Sequence, residues 1–599
     1  MGSEVVVVAS LPPVLNKAKR ICDSKSEVRK LAPKQCAYLI ERVERLHKYL
    51  LDMIDFEPGL LEDCKPTIAQ IDRVMDRAQF LLHRCSSPDW LWHAVLKKEH
   101  KLKFQIILQE LSQCVYFLKL KVSVSKGTLR PAPHAWEWPE SERQELKAAA
   151  NMDREDLKRV AAKLEDKETD VNKIELGRYL LAEVENKRSQ ELPLPKYLFR
   201  NPEKVIQGKL IGEGSYAYVY EATWLGRTVA TKAYAVQDPS SERELRALFY
   251  LRHPNIVKMV GYTQRSKEGP YVLLMERMKR DLHNLIKDIV QSKPGPPFEM
   301  DVAVDIVLQI ARGMEFLHAN DVSHLDLKTA NILINLPSNE CSFYTAKLSD
   351  FGLSETKLKS AQSKVPVRRG GTVNFMAPEI WNEEKNASRK KADVYSFGMT
   401  CYEIFTGKVP FEGCSYPAAG FFLRVKDNNL RPILPPGFPR CLSLFLQCCW
   451  HGRPEIRPTF KKICNYLIAL KNVLTIGDPP DAVPDGYYLN SPIGDILDED
   501  KQLNAMGTRD HHEAILAALE SLQKESQDKL QRNASGAKYK SRLKSYIRDS
   551  EHLVHEVRSH KNKYIELQCR AVTTDEEEES SNSNECWPIR RLKVERKQR

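Results

Sequence analysis

Three short polar segments follow one another in this chain: HLDLKTAN from His324 to Asn331, SDFG from Ser349 to Gly352, and GTVNFMAPE from Gly371 to Glu379. Asp326, on the first loop, can accept or orient a hydroxyl proton, and Asn331 can turn its side-chain oxygen onto a metal ion. Asp350 can supply a second metal-binding carboxylate. Each alone is an ordinary turn former, because Asp and Asn bond their own backbone in turns. Their order and spacing together make chance a poor explanation.

Upstream, Ile211, Gly212, Glu213, Gly214, Ser215, Tyr216, Ala217, Tyr218 and Val219 lie between two strand-like runs. Glycines there let a hairpin fold down so that main-chain amides approach phosphate oxygens; a hairpin of no function reads the same way. Thirteen residues after Val219, Lys232 ends an alternating strand, and Glu244 heads a helical stripe through Leu248 and Leu251. Glu244 can brace the lysine or, with Ser241, form a capping box that serves its own helix, with Glu242 as the spare carboxylate.

With these segments in sequence order, residues 205–470 resemble a eukaryotic protein kinase domain, and in particular its tyrosine-kinase-like branch. The late segment CCWHGRPEIRPTF belongs to the same resemblance. The resemblance implies ATP and Mg2+ as cofactors, with Lys232 on the α and β phosphates, Glu244 bracing it, Asp326 as catalytic base, and Asn331 and Asp350 on magnesium. Ile211, Gly212, Glu213, Gly214, Ser215 and Val219 would cover the nucleotide, Met275 would be the gatekeeper, and Glu276 to Met278 the hinge. Lys328 and Thr372 suit a Ser/Thr hydroxyl substrate, Asp393 would anchor the catalytic loop, and Arg457 would pair with Glu379. Leu325 stands where many relatives carry arginine. Removing that cation changes how the activation segment is set and leaves the acid, lysine and amide intact, so the resemblance implies a non-RD kinase. Ala217 replaces the third loop glycine, and only twelve residues separate Lys232 from Glu244.

Taken with that resemblance, the rest of the 599 residues implies an α+β multidomain protein: a two-lobed protein kinase fold preceded by an all-α helical bundle and followed by a charged, partly helical tail. Apolar residues recur at helical spacing from Cys36 to Ile54, Ile68 to Leu82 and Phe104 to Leu118, three stripes that an antiparallel bundle buries. The expected divisions are a flexible N-terminus at 1–30, the bundle at 31–125, a charged helical linker at 126–200, the kinase domain at 201–472, a linker at 473–509 and the tail at 510–599.

The net charge of +12 is a small excess of 92 basic over 80 acidic residues and does not call for nucleic acid. Fourteen scattered cysteines without CxxC pairs suit a reducing compartment, so a cytoplasmic location is expected. The basic end RRLKVERKQR reads as a nuclear import signal or a solvated tail. No signal peptide or membrane span is expected, since the apolar start EVVVVASL lacks a basic flank and meets Pro12 and Pro13.

Two functions compete. The first is a protein serine/threonine kinase acting on protein substrates and regulated by the bundle, through which it self-associates or binds an adaptor. The second is a catalytically weak nucleotide-binding switch whose bundle acts on a partner or membrane, a layout similar to the mixed-lineage kinase domain-like proteins. The complete set Lys232, Asp326, Asn331 and Asp350 favours the first.

Overall fold

The computed structural model describes residues 2–483 except 28, 57–59, 97–99, 126–137, 186–198, 214–216, 236–238, 265–269, 338–342, 352–354, 357–372, 382–386, 413–423 and 427–428. The expected tail, most of the expected 473–509 linker, and Gly214, Ser215 and Thr372 lie outside the described residues.

The N-terminus corrects the sequence expectation of a flexible start, because Gly2–Asp23 form helix α1. Leu11, Val14, Ala18 and Ile21, spaced by three and four, are buried where α1 meets the next two long helices. Their burial offsets the backbone bonds lost at Pro12 and Pro13 inside the helix. Helices α2 (Pro33–Phe56), α3 (Lys65–Ser86), short α4 (Trp90–Leu96) and α5 (His100–Ser125) complete the bundle. The three apolar stripes read from the sequence are its buried faces, Leu39, Val43, Ile71, Val74, Phe104 and Leu118 among them.

Helices α6 (Glu140–Lys167) and α7 (Val171–Glu185) pack on each other, α6 also on α2 and α7 also on α4. Asp153 of α6 accepts the backbone N–H groups of Lys34 and Gln35 at 2.8 and 2.9 Å, capping the start of α2 from 118 residues away. A cap supplied at that distance in sequence has no local signature.

The small lobe is a five-stranded antiparallel sheet built from β1 (Val205–Glu213), β2 (Ala217–Trp224), β3 (Arg227–Tyr234), β4 (Met259–Gln264) and β5 (Tyr271–Glu276), in the order β1-β2-β3-β5-β4. Helix α8 (Pro239–Tyr250) lies against β4 and β5. The large lobe follows with β6 (Arg280–Asp281), α9 (Leu282–Ser292), α10 (Met300–Ala319), β7 (Val322–Ser323), β8 (Ile332–Asn335), β9 (Thr345–Leu348) and β10 (Glu355–Thr356). It closes with α11 (Pro378–Trp381), α12 (Arg389–Thr406), α13 (Arg440–Cys449) and α14 (Phe460–Ile476). Helix α12 is buried on all sides from Ala392 to Thr406, so periodicity is nearly absent from its sequence.

Helix α14 runs past the expected domain end at residue 472 and stops at Gly477, whose φ of +93° and close approach to Pro66 of the bundle leave little room for a side chain. Those last residues face the bundle: Ile476 joins Phe117 and Leu120 of α5 in one apolar cluster.

The bundle and the α6–α7 pair touch both lobes. On the large lobe, Lys471 of α14 meets Glu110 of α5 at 3.2 Å and Asp305 of α10 at 2.5 Å, while Arg77 of α3 binds Glu110 and Arg73 binds Asp301. On the small lobe, Arg227 forms a two-pronged pair with Asp89, and Trp92 of α4 packs on Trp224 with ring centres 6.1 Å apart. The Arg200 guanidinium stacks over Tyr179 of α7 and Trp224, 4.5 and 4.7 Å from their ring centres.

Candidate active site

Strand register sets the upper half of the site. Lys232 on β3 pairs with Val219 of β2 on one side and Leu273 of β5 on the other, and Gly212 of β1 pairs in turn with Val219. Ile211, Gly212, Glu213 and Val219 therefore lie on the hairpin beside Lys232, and Met275 sits two register positions along, opposite Ala230.

Lys232 Nζ donates to both oxygens of Glu244, at 2.9 and 2.7 Å, and to Asp350 Oδ1 at 3.1 Å. Burial opposes a charged amine, but the two carboxylates outweigh it and raise the Lys232 pKa above its ordinary value. Of the two readings the geometry favours the brace: α8 begins at Pro239, which places Ser241 inside the helix, and the Glu244 carboxylate is bound by Lys232. Glu244 is 1% exposed and turned to Lys232. The side chain of Glu242 lies outside the described residues.

The lower half is the loop His324–Asn331. Asp326 is bound by Lys328 Nζ at 2.9 Å and by Asn331 Nδ2 at 2.9 Å, and Asn331 Nδ2 also donates to the Asp326 carbonyl at 2.7 Å. Asp393, completely buried on α12, accepts the backbone N–H groups of His324 and Leu325 at 2.9 and 2.8 Å and His318 Nε2 at 2.8 Å. Those bonds hold Leu325 at a φ of +66°, in the left-handed region.

The two halves are joined through Ser349. Its N–H donates to the Asn331 carbonyl at 2.9 Å, and His324 Nε2 donates to the Ser349 carbonyl at 3.0 Å. Asp350 follows at once, at a φ of +61°. The structure thus brings Lys232, Glu244 and Asp350 into one cluster and Asp326, Lys328 and Asn331 into a second, joined through Ser349 and through the packing of Phe351 on His324.

Asn331 and Asp350 fit a magnesium ion by donor chemistry. The amide nitrogen of Asn331 is committed to Asp326, which leaves its carbonyl oxygen as the end able to meet a cation, and Asp350 adds a hard carboxylate. Among the described residues no group of three or more His, Cys, Asp or Glu side chains could hold an ion alone. Magnesium suits such a site, since it binds through one or two side chains and completes its shell with water and phosphate.

At the hinge the Glu276 side chain turns inward. It accepts from Lys347 Nζ at 2.6 Å and from the Lys258 N–H at 2.9 Å; burial opposes its charge, but Lys347 beside it keeps its pKa below the carboxylate norm. Its own N–H donates to the Lys258 carbonyl at 3.0 Å, and Met278 beyond it is buried. Lys258 Nζ in turn donates to the carbonyl of Val95 at the end of α4, so the bundle touches the back of the hinge. Sequence reasoning missed this contact and also Tyr234, whose hydroxyl donates to Glu244 Oε2. In the large lobe Arg457 and Glu379 form the expected pair, at 2.5 and 3.0 Å, fully buried.

A five-stranded lobe over a helical lobe, with a lysine–glutamate pair above and an acid, lysine and amide below, defines a protein kinase domain. Residues 205–467 match the family model described as protein tyrosine and serine/threonine kinase. Relatives include a light-sensor protein kinase of Ceratodon purpureus, 36% identical over 292 residues, which are 45% of this chain and 22% of that protein. The serine/threonine-protein kinase drkC of Dictyostelium discoideum is 32% identical over 278 residues, 45% of this chain and 35% of that one. From the same organism, the dual specificity protein kinase shkE is 32% identical over 275 residues, 44% and 36% of the two chains. The chain therefore spans roughly a fifth to a third of the length of these relatives.

Proposed function

We propose that the chain is a protein serine/threonine kinase that transfers the γ-phosphoryl group of ATP to hydroxyls of protein substrates. The observation that carries this reading is the closed Lys232–Glu244 pair, with Lys232 also reaching Asp350, above the joined Asp326, Lys328 and Asn331. In this arrangement Lys232 holds phosphate oxygens, Asp326 orients the attacking hydroxyl, and Lys328 beside it compensates charge on the transferring group. Asn331 and Asp350 would hold a magnesium ion, which when bound would neutralise phosphate charge. Most of the rate then comes from positioning and electrostatics. The rival reading as a weak nucleotide-binding switch gives no reason for this whole set to be assembled.

The tyrosine-kinase-like branch is our finer placement, supported by the motif set from Gly212 to Arg457. The helical bundle followed by charged helices also supports a layout like that of mixed-lineage kinase domain-like proteins. We assign the bundle a regulatory role, with self-association or adaptor binding as its input, because it grips the small lobe through Asp89 and the large lobe through Glu110. A cytoplasmic location agrees with ten free cysteines among the described residues, nine of them buried. The test is transfer of labelled phosphate from ATP to a generic protein substrate by the wild type and Asp326→Asn, followed by phosphoamino-acid analysis. Aspartate-dependent phosphoserine and phosphothreonine support the reading; equal incorporation by both proteins, or none, overturns it.

A further inference from the structure

We propose that Tyr234 is a positioning residue for phosphoryl transfer: its hydroxyl fixes the Glu244 carboxylate, which in turn holds the Lys232 ammonium in the cleft. The inference rests on the kinase reading above and deepens it by adding a member to the upper cluster.

Lys232 and Tyr234 are two residues apart on β3 and so point to the same face of the sheet. Both reach Glu244. Lys232 takes its two oxygens at 2.9 and 2.7 Å, and the Tyr234 hydroxyl donates to Oε2. The Lys232 ammonium also lies 5.5 Å from the centre of the Tyr234 ring. Lysine, tyrosine and glutamate therefore form a closed triangle rather than a chain.

A buried tyrosine needs a partner for its hydroxyl whatever its role, so the bond alone assigns nothing. The partner decides it. Glu244 is 1% exposed, and a carboxylate so far from water is held in one orientation by the donors around it. Lys232 is an uncertain anchor by itself, because its ammonium is shared with Asp350 at 3.1 Å. Without a second donor, a small turn of Glu244 would let Lys232 swing to Asp350. Tyr234 blocks that turn with a neutral hydroxyl, which binds the carboxylate without competing for the phosphates as another cation would.

The neighbouring sequence agrees with this arrangement. Ala217, standing where the phosphate loop carries its last glycine in the related pattern, is the direct cross-strand partner of Tyr234 and is buried. A methyl group there can support the ring from the adjacent strand, a contact glycine would not make. The twelve-residue step from Lys232 to Glu244 also leaves α8 only a short connection from β3, so a second side-chain tie between strand and helix has a mechanical purpose.

The experiment compares full-length wild type, Tyr234→Phe, Glu244→Gln and the double variant in steady-state kinetics with ATP varied, alongside thermal melting. Tyr234→Phe keeps the ring and removes one hydrogen bond to a charged group, so kcat should fall about 10-fold. The loss should exceed any rise in KM for ATP, with the melting temperature close to wild type. In the Glu244→Gln background the same change should add little, because the oxygen it orients has lost its charge. A Tyr234→Phe protein with wild-type kcat, or one whose loss is undiminished beside Glu244→Gln, overturns the proposal. If the wild type shows no Asp326-dependent transfer, the functional reading itself fails. Tyr234 is then judged by amide hydrogen exchange across Pro239–Tyr250: faster exchange in Tyr234→Phe supports the tie, and unchanged exchange removes it.

Discussion

Lys471, near the end of the kinase domain, binds Glu110 of the N-terminal bundle at 3.2 Å and Asp305 of its own lobe at 2.5 Å. Lys471 and Glu110 are buried and Asp305 is half-buried, in one network with Arg77, and burial by itself would raise the Glu110 and Asp305 pKa values. The cations around them win, so both lie below the carboxylate norm. The bundle is therefore joined to the large lobe by charges that have left water, not by a screened surface pair.

Lys471→Met should consequently destabilise the full-length protein by about 3 kcal/mol, because it strands carboxylate charge while filling a similar volume. Adding Asp305→Asn should recover part of that loss, since the stranded charge is gone. Denaturant melts of the three proteins measure both steps. A Lys471→Met protein as stable as wild type would mean that water reaches the network.

A second prediction concerns pH. His253 is 6% exposed, its Nδ1 accepts the Asn255 N–H at 3.1 Å, and burial lowers its pKa to about 3. Arg312 and Lys347 reinforce the shift, so the ring is neutral in the folded protein. The unfolded chain takes up the proton near pH 6.5 and the folded one only near 3, so stability is complete above 6.5 and declines as pH falls between those values. From pH 7 to 5 the loss from this group is about 2 kcal/mol. His253→Asn keeps an acceptor for Asn255 and should flatten that part of the stability profile. Equal slopes in variant and wild type between pH 7 and 5 would show that His253 titrates normally.

Local chemistry explains how much of this was readable beforehand. Asp326, Asn331 and Asp350 sit on short loops whose neighbours in sequence are also their neighbours in space, so spacing alone carried much of the geometry. The stripes of α2, α3 and α5 were legible because one face is buried and the other wet. Helix α1 was not, since Pro12 and Pro13 argue against a helix that tertiary burial nonetheless supports. Asp153 capping α2, Val95 meeting Lys258 behind the hinge, and Lys471 bridging to the bundle join residues more than a hundred positions apart. No window along the chain contains both partners. Tyr234 escaped for another reason: on an alternating strand a tyrosine reads as core, and nothing in the sequence says where its hydroxyl points.

The last prediction returns to Leu325. Its N–H and that of His324 are bound by Asp393, and its φ of +66° fixes the direction in which its side chain leaves the loop. The catalytic loop is thus ordered from α12 beneath it, through an acid in this same chain, and the residue before Asp326 is a leucine, not a cation. Wild-type activity should therefore be unchanged by phosphatase treatment. Leu325→Arg places a guanidinium beside Asp326 without a built partner, where it competes with Lys328 for the carboxylate. The dephosphorylated variant should lose about 10-fold in kcat and regain it when a phosphate is added to the activation segment, as charge-assisted ordering requires. Phosphate transfer by both proteins before and after phosphatase decides the matter, and a wild type that loses activity on dephosphorylation would show that a different cation reads the phosphate.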